Sequence, residues 1–342
     1  MKYKVLVYDT KDYDRENFEL LKGTDFDIDY LDTKIDINTA KLAKGYHAVC
    51  VFVNDNVNKA VIDVLYRAGI RLLALRSAGY NNVDVTYIYQ KIHVVRVPDY
   101  SPYAVAEHAI ALLLSLNRKI HKAYNRTRDH NFSLSRLQGF DLHGKTIGVI
   151  GTGKIGRVFI DICLGFGMKV LAYDAFPYED KRINFVDLET LYQQSNIISL
   201  HVPLLNDTKH MINAKSIAMM KDDVIIINTS RGGLINSSDL LDGLIKRKIG
   251  GAALDVYEEE ASIFFEDFSY EIIQDEVITR LIALPNVLLT SHQAFLTKEA
   301  LSNIVTTTLN NIKDFFQDKP LQNEICDACK KAATCEKKHR CF

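Results

Sequence analysis

The sequence carries almost no net charge: 42 lysines and arginines face 43 aspartates and glutamates, a formal charge of -1 over 342 residues. No bulk field therefore draws it to nucleic acid or to an anionic membrane. It also lacks a long apolar run. The richest, AIALLLSL at 109–116, stops at Asn117 and Arg118, far short of the ~20 residues that cross a bilayer. The first residues offer only Val5 to Tyr8 before Asp9, too little for the apolar core of a secretory signal. These absences predict a cytoplasmic protein. Cysteine is scarce in the body of the chain. Cys50 and Cys163 stand in apolar segments and read as small core residues. The other four, Cys326, Cys329, Cys335 and Cys341, fall in the last 17 positions. A reducing compartment argues against a structural disulfide framework there. Internal repeats and low-complexity linkers are missing as well.

What is present is an alternation of short apolar runs with helical stretches. KVLVYD (4–9), AVCVFV (48–53), RLLALR (71–76) and HVVRV (93–97) read as buried strands. NKAVIDVLYRAG (58–69) reads as an amphipathic helix closed by a glycine. Ser101 and Pro102 suit a helix start, and the pattern predicts one helix over 101–127 that crosses between domains. The rhythm then restarts with six strand candidates, at 145–150, 169–174, 197–202, 224–230, 250–256 and 285–292. A last helix is predicted over 297–318. The expected fold is α/β, with two doubly wound, Rossmann-like domains and a cleft between them. The substrate domain is discontinuous, built from 1–100 and 297–325. Residues 101–296 form the dinucleotide-binding domain, and 326–342 a cysteine-rich tail.

The sharpest motif is TIGVIGTGKIG. It places Gly151, Gly153 and Gly156 directly after an apolar strand and at the start of a helix. A second strand follows and ends in Asp174. Three glycines in this setting serve a tight turn, close approach of a pyrophosphate, and close helix–strand packing. Asp174 suits the adenosine ribose hydroxyls and repels a 2′-phosphate, and the next residues supply no arginine. NAD is expected rather than NADP.

Three later strand ends carry reactive groups: Arg231 in NTSRGG, Asp255 and Glu258–Glu260 in LDVYEEE, and His292 in SHQAF. Each has an ordinary alternative: a surface arginine, a solvated acidic loop, a satisfied core histidine. Together, beyond the carboxyl ends of strands in a dinucleotide-binding sheet, they suit hydride-transfer chemistry on an acid substrate.

In that order, GTGKIG, NTSRGG, LDVYEEE and SHQAF resemble the NAD-dependent D-2-hydroxyacid dehydrogenases, to about residue 325. LRSAGYNNVD, RVPDYSPYAVAEHA and SHQAFLTKEAL are similar to bacterial fermentative D-lactate dehydrogenases, which reduce pyruvate with NADH. The resemblance implies that Arg231 pairs with the substrate carboxylate and that His292 gives a proton to the carbonyl oxygen. It implies that Glu260, last of the three glutamates, holds the histidine. It places Phe52 beside the substrate's side chain, the amides of Ala78 and Gly79 on its carboxylate, and Tyr100 in contact with it. On the cofactor side it implies Lys154 and Ile155 at the pyrophosphate turn and Val202, Pro203 and Thr208 by the adenosine. Thr229 and Ser230 fall by the nicotinamide, with Asp255 on its carboxamide. It also implies a homodimer or homotetramer.

A dehydrogenase for bulkier 2-keto acids, such as 2-ketoisocaproate or phenylpyruvate, is the near alternative. An NAD-sensing binding module is the distant one, since it needs no Arg231, Glu260 and His292 together. The tail, CDACKKAATCEKKHRCF, has four thiols and His339. Its lysines and Arg340 read as a solvated, mobile or redox-responsive segment rather than a zinc site, so no metal is expected.

Overall fold

Two parallel sheets organise the chain. The computed structural model describes residues 2–260, 263–325 and 340–342. In chain order the strands are β1 (Tyr3–Val7), β2 (Phe26–Tyr30), β3 (Ala48–Val51), β4 (Leu72–Leu75) and β5 (His93–Val95). Next come β6 (Thr146–Ile150), β7 (Lys169–Tyr173), β8 (Asn184–Phe185) and β9 (Ile197–Leu200). Last are β10 (Val224–Asn228), β11 (Ile249–Leu254), β12 (Val287–Leu289) and β13 (Glu324–Ile325). Contacts divide them between two compact units, Met1–Ser101 with Thr297–Phe342, and Pro102–Leu296.

The first unit has the sheet order β13-β5-β4-β3-β1-β2, a flavodoxin-like order with one antiparallel edge strand, β13. The central strands AVCV and LLAL are buried at every position, because helices cover both faces of a parallel sheet. Along β1 and on to Tyr8 the core alternates: Val5 and Val7 join one cluster, Leu6 and Tyr8 the other. Two of these strands escape a search for apolar runs. β2 is FDIDY, with Phe26 and Ile28 buried and its aspartates exposed, and β13 is only two residues long.

The second unit is ordered β12-β11-β10-β9-β6-β7-β8. Counted from β6, its first six strands follow the order 3-2-1-4-5-6 of a dinucleotide-binding sheet. Its strands pair in parallel throughout the described residues. β8 was not expected from sequence, and its two residues extend the edge beside β7.

The single helix expected over 101–127 is instead two, Pro102–Arg118 and Ile120–Arg128. Lys119 breaks it with a left-handed backbone, φ 54. Asn117, 4% exposed, exchanges two side-chain hydrogen bonds with the backbone of Phe140. Lys119 Nζ donates to the Gln138 carbonyl. A returning segment thus outcompetes helix continuation. Cys50 and Cys163 are fully buried, and burial pushes both thiols up to about 12. Among the described residues no helix is long and apolar enough to cross a membrane.

Candidate active site

The glycine turn follows β6, where the strand order reverses. Gly151 takes φ +97, and a Cβ there would lie 2.6 Å from the His201 carbonyl oxygen. At Gly156 a Cβ would sit 2.1 Å from the Gly151 oxygen, so helix and strand meet backbone to backbone. Gly153 faces open space, with nothing within 4 Å of its would-be Cβ, and precedes the helix Lys154–Gly165. The turn is therefore open at Gly153, over a helix N-terminus whose first residues are Lys154 and Ile155, a setting that suits an anionic group.

Asp174, just past β7, is tied to this turn. Its Oδ2 accepts the Thr152 N–H at 2.6 Å and the Thr152 hydroxyl at 2.9 Å, and its Oδ1 accepts the Phe176 N–H. Burial opposes ionisation, but these donors outweigh it and hold the carboxyl below the usual range. Asp174 thus fastens the turn.

The other residues expected on the cofactor side divide. Ser230 Oγ donates to the Val202 carbonyl at 2.6 Å, joining two loops. Thr208 Oγ1 donates to the Pro203 carbonyl and accepts the Leu205 N–H, so its hydroxyl closes its own loop. Thr229 Oγ1 is buried and meets no hydrogen-bond partner among the described residues, which fits a hydroxyl that a bound nicotinamide satisfies.

Arg231, Glu260 and His292 follow β10, β11 and β12, three consecutive strands of the sheet order. His292 Nδ1 lies 2.8 Å from Glu260 Oε1. The other Glu260 oxygen accepts the Tyr257 N–H at 2.9 Å. With the carboxylate on Nδ1, that nitrogen carries hydrogen and Nε2 is the one left for chemistry. His292 has φ 52, a left-handed backbone that costs a non-glycine residue about 1–2 kcal/mol. Its N–H donates to the Asp255 carbonyl at 2.7 Å. Phe265 lies beside the imidazole, ring centroids 6.1 Å apart. Arg231 Nη1 donates to the Ser230 carbonyl at 2.7 Å. The adjoining Gly232 is pressed on the acidic loop: a Cβ there would fall 2.0 Å from Tyr257 backbone atoms. Only glycine lets the arginine turn and the glutamate loop pack together.

Asp255 is fully buried, and both its oxygens serve the histidine loop. Oδ1 accepts the Thr290 hydroxyl at 2.5 Å and the Gln293 N–H, and Oδ2 accepts the Ala294 N–H. His108 Nε2 stands 3.3 Å from Oδ1. Burial opposes this charge, but hydrogen bonds from His108, Thr290 and Ala294 keep the carboxyl below its ordinary range. Glu258 has a role that sequence reading missed. Its carboxylate pairs with His210 Nε2 and accepts the Ser237 N–H at 3.2 Å. No local signal separates Glu258 from Glu259, because its partners come from a distant loop and a distant helix start.

This sheet and these loops match a known family. The model for the D-isomer specific 2-hydroxyacid dehydrogenase NAD binding domain covers residues 110–294. A 2-hydroxyacid dehydrogenase homologue of Haemophilus influenzae is 48% identical over 94% of this chain and 99% of its own length. The D-lactate dehydrogenase of Escherichia coli is 47% identical over the same shares. The chain belongs to the D-isomer specific 2-hydroxyacid dehydrogenase family. The solved pyruvate reductase of Chlamydomonas reinhardtii superposes with a TM-score of 0.90, at 43% identity, covering 94% of this chain and 98% of that one. The dehydrogenase is an NAD-dependent oxidoreductase with an NAD-binding domain in its second unit.

In the first unit of the dehydrogenase, Phe52 follows β3 and is 7% exposed. Ala78 and Gly79 follow β4, and their carbonyls accept Arg96 Nη1 and Ser77 Oγ. The Tyr100 carbonyl accepts Asn303 Nδ2 at 3.1 Å. No cluster of three or more metal-ligating side chains exists among the described residues. Cys326, Cys329 and Cys335 lie outside the described residues. The last three residues, 340–342, contact the first unit. Arg340 lies over the Phe315 ring, the Cys341 N–H donates to Glu324, and Phe342 stacks on His93 at 4.0 Å.

Proposed function

We propose that this dehydrogenase reduces pyruvate to D-lactate with NADH. The observation that carries the proposal is the Glu260–His292 pair, at 2.8 Å, on a strand end next in the sheet to that of Arg231. When bound, NADH supplies the hydride. The chain's own residues do the rest. Arg231 binds the substrate carboxylate through its planar fork and polarises the keto group. His292 gives its Nε2 proton to the carbonyl oxygen as that oxygen gains charge. Glu260 keeps the ring oriented and stabilises the imidazolium. The amides of Ala78 and Gly79 hold the carboxylate, Tyr100 contacts the substrate, and Phe52 walls its side chain. Gly151, Gly153, Lys154, Ile155, Gly156 and Asp174 hold the pyrophosphate and ribose. Val202, Pro203 and Thr208 flank the adenosine, and Thr229, Ser230 and Asp255 stand by the nicotinamide. Steady-state rates with pyruvate, 2-ketoisocaproate and phenylpyruvate, followed by chiral analysis of the product, test this. A higher kcat/KM for either bulky acid, or an L-product, overturns it.

The working protein is a cytoplasmic homodimer or homotetramer. Assembly is supported by the apolar side chains left exposed beyond the helix break, Ile120, Tyr124, Phe132 and Leu134, the last two 73% and 82% exposed. So much apolar surface in one stretch suits a subunit contact. Light scattering that gives a monomer mass at micromolar concentration rejects this.

A further inference from the structure

Arg76 heads the fully buried side chains by volume, at 1% exposure. It follows β4 in the first unit. Nη1 donates to the Tyr8 carbonyl, Nη2 to the Asp9 carbonyl at 2.5 Å, and Nε to Asp14 Oδ1 at 3.3 Å. Burying a guanidinium is costly even when it is paired, and apolar packing often serves stability as well. Stability alone is thus a poor reason to keep this arginine.

Its flat face supplies a better one. The guanidinium carbon lies 4.8 Å from the centre of the Phe52 ring, within range of a cation–π contact. The backbone of Phe52 is held just as firmly. Its N–H donates to Asp55 Oδ2 at 2.6 Å, and its carbonyl accepts Asn82 Nδ2 at 2.8 Å. The same Asn82 nitrogen reaches the Asp55 carbonyl at 2.7 Å, and Asp55 Oδ1 accepts the Ile35 N–H. Asp55 is itself fully buried. Three polar side chains from two loops, those after β3 and β4, thus grip the ring and both backbone groups of one phenylalanine.

We propose that Arg76, Asp55 and Asn82 are specificity-determining positioning residues: they immobilise the Phe52 ring, so that it excludes 2-keto acids with side chains much larger than methyl. This rests on the reading of Phe52 as the wall beside the substrate's side chain. A mobile ring would yield to a bulky substrate; a clamped one does not.

The test compares kcat/KM for pyruvate and phenylpyruvate at saturating NADH in the full-length wild type and in Phe52→Ala, Asn82→Ala and Arg76→Lys. The NADH Kd and Tm are measured for each. Asn82→Ala and Arg76→Lys are expected to lower the pyruvate-to-phenylpyruvate ratio roughly tenfold. The change should follow the direction of Phe52→Ala, reside in a lower KM for phenylpyruvate, and leave the NADH Kd unmoved. If Phe52→Ala shifts the ratio while both other variants keep the wild-type ratio, whatever their Tm, the clamp is only structural and the inference fails. If Phe52→Ala itself leaves the ratio unchanged, the wall reading fails and the inference falls with it. Should Arg76→Lys not fold, Asn82→Ala, at a partly exposed loop position, decides the matter alone.

Discussion

His292 Nδ1 meets Glu260 Oε1 at 2.8 Å, and the second Glu260 oxygen is fixed by the Tyr257 N–H. Of three adjacent glutamates, this one reaches the histidine. Glu260→Gln should therefore lower kcat by roughly 10²-fold. Glu259→Gln should not. Steady-state kcat values for the two variants check this, and equal losses would refute the assignment.

Arg231→Lys keeps the charge but loses the planar fork. The expected outcome is a kcat/KM for pyruvate lower by about 10²-fold, with KM raised. Binding of NADH, followed by fluorescence, should stay within twofold of wild type. A fall in NADH affinity as large as the fall in kcat/KM would place Arg231 with the cofactor instead.

Glu258 has a pH-dependent structural effect. Burial disfavours its charge, but His210 and the Ser237 N–H outweigh this and hold the carboxyl below its ordinary range. A folded-state value below the unfolded one means a stabilisation present above about pH 4.3 and lost as pH falls through the folded value. The Tm deficit of Glu258→Gln should accordingly be largest near pH 7 and shrink below pH ~4. Thermal melts across that range check it, and a deficit independent of pH would refute it.

Thr229→Val removes a buried hydroxyl that has no partner among the described residues. Such a group costs about 1–3 kcal/mol when left unsatisfied. The variant should match or exceed the wild-type Tm without cofactor, yet gain less from added NADH. Melts with and without NADH separate the two effects; equal gains would mean that the hydroxyl does not meet the nicotinamide.

Legibility in the sequence followed the range of the interactions. The glycine turn was readable because its conformational needs are local: Gly151 needs a positive φ, and Gly156 needs room at its Cβ position. The fully buried strands were readable as apolar runs. β2, with alternating aspartates, and the two-residue β8 and β13 were not, since their pairing comes from neighbours. The break at Lys119 was hidden for the same reason, because the competing partner, Phe140, lies 23 residues from Asn117.

By itself, then, the sequence determined the two-sheet α/β plan, the position of the cofactor turn, and the set of reactive groups at strand ends. Periodicity and glycine geometry are properties of short segments. Only the tertiary structure decided which groups meet. It set Glu260 against His292, as the family resemblance implies, and it gave Glu258 to His210 and Asp255 to the loop that holds His292 in a left-handed backbone. It also set Arg76 beneath Phe52. Each of these pairs joins residues at least 24 positions apart, brought together by parallel strands whose crossovers carry the chain away and back. No local pattern encodes such a meeting, because the preference of a carboxylate or a guanidinium for its partner acts only once folding has set them side by side.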